Sequence, residues 1–288
     1  MNEKDAISIH CENIAEFSRR KRIAEEQRRG SVTELLELAV SRSSAKRATE
    51  LFRELGEIFP DSAYEDRAEL CMILGATAGF GAEMRNKIFS DEDIAAGSHG
   101  KVSLVRNKYN ELVFSCFSRI IKRPKESFVS SFAAACEEVY DGACEFCILP
   151  IENSQSGRLF GFYSMLDRYE LRICAVCEIE SGEVSDGNVK YALVGRALPD
   201  RIQKNSEWRF EFSVISESGT VLSQIAQVSN IFEAELIKID SLPVEYDGGS
   251  QKYYFTFALP SVNIPAFDLF LTEEYDRYTA VGIYPTVE

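Results

Sequence analysis

The sequence predicts a fold of mixed class, part α/β and part α+β, in three consecutive regions. Residues 1–98 carry apolar residues at three- and four-residue spacing, which predicts helices. Residues 101–198 alternate between strand and helix patterns, as is typical of an α/β domain with a parallel sheet. Residues 207–288 follow the order β-α-β-β-α-β, which predicts a ferredoxin-like domain.

Composition and charge limit the possible functions. The chain has 288 residues, is 45% hydrophobic and carries a formal charge of −14, which disfavours nucleic acid and anionic lipid as partners. Basic residues do cluster between positions 19 and 29, but glutamates interrupt them, so we interpret this segment as a solvated helix face. No stretch predicts a membrane span or a signal peptide, and we expect a cytoplasmic protein.

Eight cysteines in a chain of this kind are expected to be reduced thiols. Two C-x-x-C pairs, Cys144 with Cys147 and Cys174 with Cys177, raise the alternative of a four-thiolate zinc site. Residues 171–179 have a strand pattern, however, and residues three apart in a strand point to opposite faces. We therefore expect buried thiols, with no metal and no cofactor.

In the first region, residues 14–29, 32–40, 45–58 and 64–89 are predicted helices, and residues 95–100 are a predicted linker. The simplest interpretation is a small helical bundle that serves as a dimerisation arm. The two histidines, His10 and His99, have no acid–base partner nearby in sequence, so histidine-based catalysis is not expected.

The most informative stretch follows the predicted strand 146–151. A cluster of polar and small residues interrupts the apolar run, and a helical pattern begins at Arg158. The first N–H groups of such a helix lack partners and favour a carboxylate or phosphate. The predicted anion site consists of Glu152, Asn153, Ser154, Ser156 and Gly157.

The segment Leu149-Pro150-Ile151-Glu152-Asn153-Ser154 resembles the L-P-I-E-N-S segment of prephenate dehydratases, which bind a dicarboxylate substrate beside this turn. The order of elements in residues 101–179 resembles the first lobe of that family, which implies a domain like a periplasmic binding protein. The resemblance then breaks down, because only residues 181–188 precede what looks like the family's returning strand. The second lobe of the family is therefore expected to be absent.

The returning strand also departs from the family pattern. Val189 stands where the resemblance places the catalytic threonine, and Lys190 and Tyr191 follow it. Valine has no hydroxyl, and a single lobe cannot exclude water from a dicarboxylate. We expect little or no dehydratase activity.

Three short segments of the last region resemble the ACT domain that follows prephenate dehydratase and senses phenylalanine. They are Gly219-Thr220-Val221-Leu222, Ile239-Asp240-Ser241-Leu242-Pro243 and Gly282-Ile283-Tyr284-Pro285. The resemblance implies a ligand site formed by Gly219, Thr220, Val221, Leu222, Asp240 and Ser241. Leu242 replaces the family's arginine, so a dimerisation module without ligand is the alternative.

The leading hypothesis is a prephenate dehydratase-like protein of phenylalanine metabolism that does not dehydrate prephenate. It acts as a homodimer or higher homo-oligomer that senses an aromatic amino acid or a prephenate-like compound. One alternative is a divergent chorismate mutase in residues 1–98, regulated by the ACT domain, because the bifunctional relatives carry that domain in front. Two further alternatives are a dehydratase that is still active and a scaffold protein in which neither site is intact.

Overall fold

The structure is a computed structural model that describes residues 64–75, 100–155, 157–159, 161–180, 187–199, 207–244 and 247–287. The chain divides into two compact units, residues 1–66 and 67–288. Of the helices predicted for the first region, only α1 (Tyr64–Gly75) lies within the described residues. The other predicted helices and the predicted linker up to residue 99 lie outside them, as does the chorismate mutase hypothesis.

The described strands are β1 (Lys101–Val105), β2 (Lys125–Val129), β3 (Phe146–Asn153), β4 (Gly157–Arg158), β5 (Arg172–Ile179), β6 (Val189–Gly195), β7 (Trp208–Ser216), β8 (Glu235–Pro243), β9 (Gln251–Ala258) and β10 (Tyr278–Val287). The described helices after α1 are α2 (Asn110–Ser118), α3 (Phe132–Tyr140), α4 (Gly161–Tyr169), α5 (Thr220–Ser229) and α6 (Ile264–Glu274).

One ten-stranded sheet contains every described strand, in the order β2-β1-β3-β6-β5-β10-β7-β9-β8, with β4 paired to β3. The predicted parallel sheet is confirmed for β2, β1 and β3. Between β3 and β5, however, β6 is inserted antiparallel to both. This placement follows from the short connection after β5, which returns the chain beside the strand that it has just left.

The apolar spacing of residues 127–140 predicts a single helix capped by Ser127 or Ser130, and this prediction is wrong. The structure has strand β2 followed by α3, which begins at Phe132. The hydroxyl of Ser131 caps α3 by accepting a hydrogen bond from the amide of Ala134 at 3.1 Å. All five residues of β2 pair with β1, so sheet pairing overrides the local helical pattern.

Strands β7 to β10 have the predicted ferredoxin-like arrangement, with spatial order β8-β9-β7-β10. Phe267 of α6 packs on one face of this part of the sheet, against Phe210, Phe212 and Phe257. Helix α4 covers the opposite face, where Tyr163 stacks on Tyr254 of β9 with ring centroids 3.8 Å apart. The polar stretch that leads into α4 therefore lies near the C-terminal strands.

The two halves of residues 101–288 share this sheet because β5 pairs in parallel with β10. Gly282 permits the close approach, since a Cβ at this position would lie 2.5 Å from the carbonyl oxygen of Ile173. The sequence patterns predict two separate domains for these halves, and no local pattern indicates the shared sheet.

Candidate functional site

The polar stretch after β3 forms a hairpin before any helix begins. Asn153 pairs with Gly157, whose φ of 75° lets the chain reverse direction into β4. The Asn153 side chain accepts a hydrogen bond from the amide of Gln155 at 2.9 Å. Helix α4 begins only at Gly161, so the predicted helix start at Arg158 was wrong, because residues 157 and 158 pair with β3.

The two groups of residues that the sequence singled out lie side by side. In the pairing of β3 with β6, Asn153 is opposite Val189, Glu152 is opposite Lys190 and Pro150 is opposite Tyr191. Residues directly opposite in antiparallel strands have Cα atoms about 4.5 to 5.5 Å apart. The position that carries Val189 therefore does border the turn, as the resemblance implies.

The main-chain N–H groups of the turn donate their hydrogen bonds to other residues of the chain. The amide of Ser154 donates to the carbonyl of Asn188, and the Ser154 hydroxyl accepts from the Asn188 amide, each at 2.8 Å. The Gln155 amide is held by Asn153, as described above. These donors fix the hairpin against β6 and are not directed at a ligand. Ser156 lies outside the described residues.

The carboxylate of Glu152 is bound by a cation from the far end of the sheet. The ammonium of Lys238 on β8 lies 3.2 Å from Glu152 and 3.7 Å from Asp240. Lys238 thus bridges one residue of the predicted anion site and one residue of the predicted ACT ligand site. The strand pattern contained a signal, since Lys238 lies two residues before Asp240 and on the same face, but it was missed.

Below this ion bridge, a buried carboxylate connects α4 to the C-terminal strands. Glu211 of β7 is completely buried and accepts hydrogen bonds from the hydroxyls of Tyr163 on α4 and Tyr284 on β10. Nearer the surface, Lys252 of β9 is 2.6 Å from Asp167 of α4. Helix α4 is therefore fixed by polar contacts to two strands of the ferredoxin-like part, β7 and β9. No sequence motif points to Glu211 or Tyr163.

The first residues of β6, Val189 and Lys190, carry no hydroxyl or carboxyl group that could donate a proton beside the turn. Val189 is apolar, and the Lys190 ammonium lies 3.8 Å from the carboxylate of Glu178. Tyr191 is buried, and burial raises its pKa to about 12, which keeps the phenol neutral near pH 7. The described residues around Glu152 thus offer an ion pair and amides, an arrangement suited to holding the chain together.

The residues of the predicted ACT ligand site are divided between two faces of the sheet. Gly219 and Thr220 are exposed at the start of α5, where the Thr220 amide donates to the Ser218 hydroxyl at 3.2 Å. Val221 is buried under the same helix. Asp240 is on the other face, opposite Tyr254 in the strand pairing, with Lys238 and Glu152.

The described cysteines do not gather into a metal site. Cys174 donates to the carbonyl of Ala197, whereas Cys177 contacts Cys116 of α2, and burial raises the pKa of both β5 thiols. In the described ranges, no group of three or more His, Cys, Asp or Glu side chains is arranged to hold a metal ion. None of the described helices is long and apolar enough to cross a membrane.

No protein-family model matches the sequence, and no significant match to a curated protein was found. Solved structures do match. Prephenate dehydratase from Streptococcus mutans aligns with a TM-score of 0.54 and 14% identity, over 65% of this chain and 99% of that chain. GqqA, described as a novel type of quorum quenching acylase, aligns with a TM-score of 0.52 and 15% identity, over 65% of this chain and 95% of that chain.

Identities this low show the fold and leave the activity open. The chain therefore has a prephenate dehydratase-like fold.

Proposed function

We propose that this protein is a prephenate dehydratase-like regulatory unit that does not dehydrate prephenate. It acts in the cytoplasm as a homodimer, in aromatic amino acid metabolism, and senses an aromatic amino acid or a prephenate-like compound. The observation that carries the proposal is the ion bridge from Lys238 to Glu152. In this ion bridge, a side chain of the protein itself, Lys238, occupies the place beside the turn where a dicarboxylate would bind.

The connection between β5 and β6 supports the absence of dehydration. Nine residues, 180–188, lie between these neighbouring strands, too few to fold as a second lobe over the turn. A dicarboxylate beside Glu152 would have to compete with that carboxylate for Lys238 and would meet Val189, which has no proton to donate. Both features disfavour the alternative of a still active dehydratase.

The proposed sensing site is the start of α5, where Gly219 and Thr220 are exposed and Val221 and Leu222 follow beneath them, together with Ser241. A ten-residue helix offers a positive dipole end that suits the carboxylate of an amino acid. Ser241 lies on the same face of β8 as Ile239, which is opposite Phe255 and therefore on the side of the helices. Asp240 contributes indirectly, by holding Lys238 on the other face.

Thermal unfolding with phenylalanine, tyrosine, prephenate and chorismate tests the proposal. A ligand that binds only the folded chain stabilises it by RT ln(1 + [L]/Kd) and therefore raises its melting temperature. We expect phenylalanine or tyrosine to raise it at millimolar concentration, and no shift with any of the four compounds would contradict a sensing role. The scaffold hypothesis would then be favoured.

A negative charge introduced at the start of α5 tests whether the ligand binds there. Thr220→Asp puts a carboxylate where the ligand's carboxylate is expected, so it should abolish the ligand-induced shift while the helix itself remains stable. Gln224→Glu adds the same charge at an exposed position further along α5 and should leave the shift intact. If both variants keep the shift, the ligand binds elsewhere.

A further inference from the structure

Arg172, the first residue of β5, carries a charge that the proposed function leaves unexplained. Its strand lies inside the sheet, between β6 and β10. The Nη1 atom donates a hydrogen bond to the carbonyl of the preceding residue, Leu171, at 3.0 Å, whereas Nε is buried and makes no hydrogen bond. One whole side of the guanidinium, Nε with Nη2, therefore has no partner in the described part of the chain.

The acidic residues around Arg172 do not neutralise it. Asp167 of α4 is bound by the lysine of β9 at 2.6 Å, and Glu170 is an exposed residue of the turn before β5. Asp268 of α6 is buried, but it accepts a hydrogen bond from the hydroxyl of Tyr278. Among the described residues, no carboxylate forms an ion pair with this arginine.

The neighbouring strands place neutral residues beside Arg172. On β6 the opposite residue is Gly195, and the space beside its Cα is filled by the ring of Phe146, which would lie 2.7 Å from a Cβ at that position. On β10 the neighbour is Tyr278, whose pKa is raised by burial and which therefore stays uncharged near pH 7.

An unpaired charge in this position is costly to the fold. Burial lowers the pKa of Arg172, yet a guanidinium keeps its proton at neutral pH. An arginine that packs its stem on apolar groups usually avoids this cost by holding its head in water. Here Nε is sealed from water, while the residue as a whole is only partly buried, so an ion can approach the head from solvent on the side of Nη2.

We propose that Arg172 binds an oxyanion, a carboxylate or phosphate group of a small ligand, at the edge of the sheet where β5 and β10 begin. Nε and one Nη of a guanidinium point in parallel and hold two oxygen atoms of such a group. The anion enters beside Nη2 and reaches Nε after a small rotation of the side chain. It supplies both the missing acceptor and the missing negative charge, whereas an apolar or cationic ligand supplies neither.

Thermal unfolding of the full chain with inorganic phosphate or with malonate tests this site. Each anion is compared with sodium chloride at the same ionic strength, because salts also change stability without binding to a site. We expect phosphate or malonate to raise the melting temperature of the wild type in a saturable way. A rise with malonate alone identifies a carboxylate ligand, and a rise with phosphate alone identifies a phosphate ligand.

Substitutions of Arg172 should remove this response. Arg172→Leu should abolish the rise and, in chloride, should unfold at no lower temperature than the wild type, because it also removes the uncompensated charge. Arg172→Lys keeps the charge without the planar fork and should need about tenfold more anion for half of the rise. Arg209→Leu is the matched control, since the side chain of Arg209 is 20% exposed and is already paired with Glu207 at 2.9 Å, and it should keep the rise.

The site would be overturned by an equal rise in the wild type and Arg172→Leu, by an unchanged half-maximal concentration in Arg172→Lys, or by no rise with either anion. The inference goes beyond the proposed function and does not depend on it. Thr220→Asp separates the two, because it should lose the phenylalanine response and keep the phosphate or malonate response. Loss of both responses in Thr220→Asp would place the anion at the start of α5 and contradict its assignment to Arg172.

Discussion

The ammonium of Lys238 lies 3.2 Å from the carboxylate of Glu152, although β8 and β3 are separated by five strands in the order of the sheet. Helix α4 follows the hairpin after β3 and packs on the face of the ferredoxin-like strands, where Tyr163 stacks on Tyr254, so the hairpin is held near that face. The turn that resembles a substrate site is thereby closed by the chain's own C-terminal part.

Loss of the Lys238 charge should destabilise the fold. Lys238→Met leaves Glu152 and Asp240 near each other without their shared cation, and we expect a loss of about 1 to 2 kcal/mol in the free energy of unfolding, between the values for exposed and buried pairs. Urea unfolding measures it. Lys252→Met is the control, because its partner Asp167 is 48% exposed and the expected loss is below about 1 kcal/mol.

The double variant Lys238→Met with Glu152→Gln separates the bridge from other effects of the lysine. Removing the Glu152 charge relieves the repulsion, so the double variant should be more stable than the sum of the two single losses suggests. Additive losses would show that the two charges do not interact in solution.

The hydroxyl of Tyr163 should stabilise the attachment of α4. Tyr163→Phe keeps the ring that stacks on Tyr254 but deprives the buried carboxylate of Glu211 of a donor, at a cost of about 1 to 2 kcal/mol in unfolding free energy. Tyr140→Phe removes a hydroxyl from a residue that is 47% exposed and should change stability by less than about 0.5 kcal/mol. Equal effects of the two substitutions would contradict a role for the Glu211 cluster.

The seam between β5 and β10 should not tolerate a side chain at Gly282. In Gly282→Ala the added methyl group would lie 2.5 Å from the Ile173 carbonyl oxygen and 2.7 Å from its Cβ, so the strands must shift. Thermal unfolding should show a loss of about 1 to 3 kcal/mol. Gly248→Ala meets nothing within 4 Å and should be nearly neutral, and a neutral Gly282→Ala would argue against the shared sheet.

Tyr191 should titrate at unusually high pH. Burial raises its pKa to about 12, whereas the unfolded chain has a tyrosine pKa of about 10, so the unfolded state releases this proton first. The contribution of this tyrosine to the free energy of unfolding is fully present below about pH 10 and is lost as the pH rises toward about 12. Tyr191→Phe should reduce this alkaline loss, and difference absorbance of the phenolate measures the titration directly. A phenolate signal from Tyr191 near the ordinary tyrosine pKa would contradict the burial of β6.

Local patterns predicted much of this fold, particularly where a strand alternates or a helix has one apolar face. The elements of residues 207–288 were recognised because strands such as β9 and helices such as α5 bury regular sets of residues. β2 was missed because Lys125 and Glu126 are exposed in succession at the edge of the sheet, which leaves little alternation to detect.

Contacts between distant segments were beyond the reach of local patterns. The sequence identified Glu152 and Asp240 as members of separate sites, and only the folded chain shows that Lys238 joins them. In the same way, Gly282 was noted as part of a motif, but its role in bringing β10 against β5 depends on Ile173, more than a hundred residues earlier. The hairpin from Asn153 to Gly157 was missed because Gly157 allows a reversal where a helix was expected.

The rate of phenylpyruvate formation from prephenate, measured with the purified full chain at neutral pH, tests the central claim most directly. With Lys238 on Glu152 and valine at position 189, we expect no rate above the spontaneous reaction. Formation of phenylpyruvate at an enzyme-like rate, abolished by Glu152→Gln, would contradict the account and show that the turn is a working active site.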